Sequence, residues 1–213
     1  MNILKKIYTI CGSILIMTFF SACSEESEVG ISQGKKLTSQ YIQEAEDIDK
    51  ESYVGLEDVF LDTKTIQGQE GKITLLIFGK NRCGYCDKIK DDIKNSKSLQ
   101  NTLKSHFLPY YINVSYAKNH LLQFQNTPEF TLSTSTLMET YVKSPMRPTP
   151  TLIFLTPTGE VIYELPGYIP SNELLALLEY MQSQKWKGKD KDTISLEINE
   201  SLRNAGPYEG VKK

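Results

Sequence analysis

With 213 residues, 39% of them apolar or aromatic, the chain is long enough for one domain with a buried core and attached segments. Its formal net charge is −2, and the charges are scattered with no long basic or acidic block. Nothing in the bulk charge therefore points to a nucleic-acid partner.

The chain opens like an export signal. Lys5 and Lys6 precede an apolar run over residues 7–20, which is 14 residues long. That is too short to span a bilayer comfortably and right for the core of a signal peptide. The run ends at Phe20-Ser21-Ala22-Cys23, which resembles the lipobox of bacterial lipoproteins, although Phe20 stands where Leu is usual. The resemblance implies cleavage after residue 22 and a lipid on the Cys23 thiol, so that the lipid bilayer holds the protein through Cys23. Ordinary cleavage after Ala22 is the competing reading, and Phe20 is large for it. Cys11 leaves with the signal. If Cys23 is acylated, Cys83 and Cys86 remain as a single pair suited to an oxidising compartment.

Residues 23–40 are polar and read as a flexible tether. A single folded domain is expected over 41–184. It begins with a helix across 41–60, where Tyr41, Ile42 and Ala45 fall at helical spacings. Ile73-Thr74-Leu75-Leu76-Ile77-Phe78 is short, nearly continuous and β-branched, so it predicts a buried central strand. After a turn, Cys83-Gly84-Tyr85-Cys86 opens a helix with Ile89 and Ile93 on one face. A strand is predicted over 107–114, an irregular polar stretch with aromatic insertions over 116–136, and a helix over 133–142. Thr151-Leu152-Ile153-Phe154-Leu155 is the next strand. Pro157-Thr158-Gly159 is its turn, 161–165 the returning strand and 173–181 an amphipathic helix. Residues 185–213 read as a charged, loosely held C-terminal tail. Alternation first and a hairpin last predict an α/β fold, a mixed sheet with helices on both faces.

Cys-x-x-Cys by itself fits a redox pair, half a zinc site or a haem attachment. Haem attachment requires His after the second cysteine, and Asp87 stands there. A closed zinc site requires further ligands, and His106 and His120 are isolated in the sequence. The place of the pair, between a buried strand and a helix start, favours redox chemistry. Unpaired N–H groups and the positive end of the helix dipole would stabilise a Cys83 thiolate, with Lys80 and Arg82 adding positive charge. Such surroundings bring a cysteine pKa from about 8.5 into the range of about 3.5–7.5. A thiolate of that kind attacks a disulfide, and the second cysteine resolves the mixed disulfide.

In combination, Ile77-Phe78, Cys83-Gly84-Tyr85-Cys86, Thr149-Pro150-Thr151, Thr158-Gly159 and Pro166-Gly167-Tyr168 resemble the thioredoxin superfamily, and within it the SoxW-type periplasmic thioredoxins. The resemblance implies the thioredoxin fold. It assigns Cys83 as nucleophile, Cys86 as resolving thiol and Pro150 as a cis-proline facing the pair, with Thr149 offering backbone contacts to a substrate chain. It also implies a cell-envelope thiol–disulfide oxidoreductase facing the periplasm, reducing disulfides of exported proteins and itself re-reduced by a membrane thiol transporter. It calls for no cofactor and no metal. Two departures stand out. Ile77 occupies the position where common thioredoxins carry a buried Asp, and Cys83 and Pro150 are 67 residues apart, which leaves room for an insertion over 116–136. Gly-Tyr between the cysteines also occurs in periplasmic isomerases, so an isomerase or oxidase is the alternative direction. A copper-delivery module is a third reading, against which the close Cys-x-x-Cys spacing argues. Tyr116, His120, Phe124 and Phe130 in the insertion are expected either to pack or to face substrate.

Overall fold

The computed structural model describes residues 50–206. Strand β1 (Thr65–Gln67) leads to β2 (Ile73–Gly79), helices α1 (Gly84–Asn95) and α2 (Lys97–His106), and β3 (Phe107–Asn113). Strands β4 (Asn119–Gln123) and β5 (Phe130–Ser133) follow, then α3 (Thr134–Tyr141), β6 (Thr151–Leu155), β7 (Val161–Pro166), α4 (Ser171–Gln182) and α5 (Lys191–Arg203). The main sheet has the order β3-β2-β6-β7, with β2 parallel to β3 and antiparallel to β6. This is the mixed sheet that the alternation predicts.

Every residue of β2 is buried, because both faces of the sheet are covered. Ile73, Leu75 and Ile77 point into one core with Ile89, Ile93, Leu99, Leu177 and Ile198, drawn from the helices. Leu76 and Phe78 alternate into a second core with Ile66, Leu122, Phe124 and Leu137. Thr74, the polar residue in the run, donates from its hydroxyl to the Gln67 carbonyl at 2.7 Å. Pro109 sits inside β3 without breaking it, since β3 is an edge strand of this sheet and lacks only one outward donor. The Pro109 carbonyl accepts from the Leu61 amide at 2.8 Å.

Three expectations change. Residues 52–60 form turns rather than a continuous helix, and Tyr53, Leu56, Val59 and Phe60 still bury their side chains in the first core. Residues 41–49 lie outside the described residues. The insertion is ordered: β4 and β5 form an antiparallel pair, and β4 runs parallel to β1 to make a second, three-stranded sheet. The stretch expected to be a loose tail contains α5. Asp190 caps it by accepting from Thr193 N–H at 2.9 Å, and Ile194 and Ile198, four apart, are buried in the first core. Helix α2 was not anticipated; Ser96 ends α1 and caps α2 through its side chain.

Candidate active site

Strand β2 ends at Gly79, and the chain turns through Lys80, Asn81 and Arg82 into α1. Cys83 is the N-cap residue of that helix, with extended backbone (φ −114°, ψ 97°). Cys83 and Cys86 form a disulfide. The Cys86 amide N–H also points at Cys83 Sγ, at 3.2 Å. In the reduced protein that donor, together with the dipole of α1, favours the thiolate of Cys83 over its thiol. Cys83 retains 7% exposure and Cys86 none, so only the first sulfur is open to an incoming group.

The Thr149–Pro150 bond is cis. The Thr149 carbonyl oxygen lies 3.4 Å from Cys83 Sγ, and the Thr149 hydroxyl donates to the same sulfur at 3.6 Å. Residues 66 apart in sequence thus meet at one sulfur. The loop is pinned from several sides. The Pro150 carbonyl accepts from Gly167 N–H at 2.8 Å, and the Thr151 hydroxyl donates to the Pro148 carbonyl at 2.6 Å. The amides of Lys143 and Ser144 donate to the Glu164 carboxylate at 2.9 and 3.0 Å.

Tyr85, between the cysteines, is 59% exposed and stacks on Tyr168 with ring centroids 5.6 Å apart. The Tyr168 hydroxyl donates to Asp92 at 2.8 Å, and Lys88 Nζ lies 5.4 Å from the Tyr85 ring centroid. Lys80 and Arg82 are exposed beside the pair. Ile77, where common thioredoxins carry a buried acid, is 1% exposed and packs in the first core.

The insertion divides by residue. His120 is buried and satisfied, with Nδ1 donating to the Thr63 carbonyl at 2.7 Å and Nε2 facing the Thr134 hydroxyl at 3.0 Å. Phe124 is buried beneath the β6–β7 turn, where a Cβ on Gly159 would come within 2.6 Å of its ring. Phe130 is 39% exposed. Tyr116 reaches the loop before the cysteines, its hydroxyl accepting from Asn81 Nδ2 at 2.9 Å. The motifs named the sulfurs and the proline loop and missed Asn81 and Asn113. A lone Asn ending the apolar run of β3 was the available signal. Cys23 and the export signal lie outside the described residues. Among the described residues no helix is long and apolar enough to cross a membrane.

A pair of cysteines at a helix entrance, faced by a cis-proline loop, defines a thiol–disulfide oxidoreductase site. The chain belongs to the thioredoxin-like domain family, whose model matches residues 59–182. It is similar to a thioredoxin-fold protein from Helicobacter pylori, with 40% identity, 74% of this chain and 98% of that one covered, and a TM-score of 0.67. It is more distantly similar to a thioredoxin from Thermus thermophilus, with 21% identity, 55% and 78% covered, and a TM-score of 0.39. The comparison with curated proteins gave no match.

Proposed function

We propose that the protein is a lipid-anchored periplasmic reductase that transfers two electrons to disulfides of exported partner proteins. The observation that carries the reading is Cys83, 7% exposed where Cys86 has no exposure, set at the N-cap of α1 against the Thr149 carbonyl. The Cys83 thiolate attacks one sulfur of a partner disulfide; a mixed disulfide forms and the other partner sulfur leaves as a thiolate that takes up a proton. Cys86 then loses its proton and attacks Cys83 Sγ, closing the Cys83–Cys86 bond and releasing the second partner thiol. The partner gains two electrons and two protons, and a membrane thiol transporter returns both to the pair. Thr149 and Pro150 hold the partner chain: the Thr149 backbone offers an edge to an extended segment, as a strand does in β-augmentation. The signal over 1–22, the lipidated Cys23 and the tether over 23–40 supply the location, in keeping with the SoxW-type resemblance.

The reduction potential of the pair tests the direction. Equilibration with glutathione should place it near the reducing end, about −270 mV, whereas a value near −120 mV assigns the site to an oxidase and overturns the proposal. Mass spectrometry of the membrane-extracted protein should show a diacylglyceryl group on Cys23.

A further inference from the structure

Behind the loop that delivers Cys83 lies a polar knot built on Asn113 and Asn81. Asn113 ends β3 and is only 4% exposed. Its Nδ2 donates to Ser52 Oγ at 2.8 Å and to Asn81 Oδ1 at 2.7 Å, while its Oδ1 accepts from the Ser115 amide at 3.0 Å. Asn81 is held at two more points. Its amide donates to Ser115 Oγ at 3.0 Å and its Nδ2 to the Tyr116 hydroxyl at 2.9 Å. The root of the loop is fixed as well, the Gly79 carbonyl accepting from Val114 N–H at 2.8 Å. Two stretches thus converge behind one exposed turn: the segment before β1, through Ser52, and the run from the end of β3 into the root of the β4–β5 insertion.

The next residue shows what this convergence does. Arg82 has φ +54°, in the left-handed region that L side chains rarely adopt and glycine enters freely. A non-glycine residue stays there only where its surroundings over-determine it. One residue later the chain must place Cys83 at the helix cap with its sulfur facing the Cys86 amide. Glycine at 82 would make the turn unaided but would bring no charge to the thiolate. Arginine brings the charge and needs the turn imposed.

We propose that Asn81 and Asn113 are positioning residues: with Ser115 and Tyr116 they clamp the loop so that Arg82 occupies the left-handed conformation and Cys83 meets the helix dipole in register. The clamp sets how readily Cys83 ionises and attacks, and it gives the root of the insertion a role in the reaction. The inference rests on the reading of Cys83 as the attacking thiol.

The test uses the full-length reduced protein and iodoacetamide, with the labelled cysteine identified by mass spectrometry and the alkylation rate followed against pH. In the wild type Cys83 is labelled first; if Cys86 is labelled first, the functional reading fails, and the clamp with it. Asn81→Ala should slow alkylation of Cys83 at neutral pH by about fivefold or more and move the half-titration point upward, the penalty expected when a sparsely populated backbone state loses its support. Ile198→Ala, which weakens the fold through α5, should leave that pH profile in place. In an Arg82→Gly background the effect of Asn81→Ala should shrink to less than about twofold, since glycine makes the turn without help. Should Asn81→Ala fold poorly, Tyr116→Phe removes one point of the clamp and should shift the profile in the same direction by a smaller step. Labelling at Cys83 with an unchanged profile in whichever of these two variants folds, or an undiminished effect in the Arg82→Gly background, overturns the clamp while leaving the function standing.

Discussion

Gly79 joins the central strand to the active-site loop, and no larger residue fits there. A Cβ at this position would lie 2.1 Å from the Tyr111 hydroxyl oxygen and 2.5 Å from its Cζ. Tyr111 is 1% exposed and has nowhere to retreat. Its ring meets Tyr53 at 6.2 Å and Phe60 at 5.7 Å between centroids, and Lys90 Nζ stands 5.4 Å from its centroid. The added methyl must therefore displace either the boxed ring or the backbone of β2, whose Gly79 pairs with Asn113 across the ladder. Overpacking of this kind costs about 1–3 kcal/mol, and the rigid neighbours place Gly79→Ala near the upper end. For a domain of this size each 1 kcal/mol is worth roughly 2–4 °C in melting temperature, so a fall of about 6–12 °C is expected by calorimetry on the oxidised protein. Because the conflict lies with one side chain, Tyr111→Leu should relieve it. In a double-mutant cycle the combined loss should be smaller than the sum of the single losses by about 1 kcal/mol or more. A Gly79→Ala protein melting within about 2 °C of wild type, or a cycle with strictly additive losses, would refute the reasoning.

Ile198→Ala removes a fully buried side chain from α5 and should lower stability by about 2–4 kcal/mol in urea unfolding; a loss under about 0.5 kcal/mol would mean that α5 is not part of the folding unit. Stability should also fall at alkaline pH. Burial pushes the Tyr141 hydroxyl up to about 12 and raises Tyr110, Tyr163 and Tyr180 as well, so the fold holds neutral phenols while the unfolded chain ionises near pH 10. Their contribution is complete below pH 10 and is lost as the pH rises from 10 through 12. The urea midpoint should drop across that window, and less steeply in Tyr141→Phe; a flat midpoint to pH 12 would count against it.

The parts of the fold that were legible in the sequence are those written in local pattern. The run Ile73 to Phe78 has a strand's length and β-branched content and is buried on both faces, as such a run requires. Cys83 and Cys86 could be placed at a helix entrance because Ile89 and Ile93 carry the helical period immediately after them. Pro150 was assigned by motif, and the structure brings its loop to Cys83 Sγ through Thr149. What escaped depends on partners distant in sequence. Residues 119–133 look irregular because their alternation is weak: β4 and β5 satisfy their backbones by pairing with each other and with β1, a bond made to a segment more than 50 residues away. Ile194 and Ile198 were hidden by the charges around them, and a stripe this narrow commits to a helix only once α4 offers a surface.

The same division explains why the cysteines were easier to find than the residues behind them. A sulfur pair acts through its own chemistry, and its spacing can be recognised wherever it occurs. Asn81 and Asn113 act through geometry: an amide has meaning at 2.7 Å from one particular oxygen and none in the one-dimensional chain. Burial makes such geometry specific. A polar group that is 4% exposed must find partners or lose stability, so Asn113 can hold only a loop that returns its hydrogen bonds. In this protein the loop that does so is the one carrying Arg82 to Cys83. A site whose reactive atom sits on a short turn can therefore be tuned by substitutions in β3 or at the root of the insertion, without touching either cysteine.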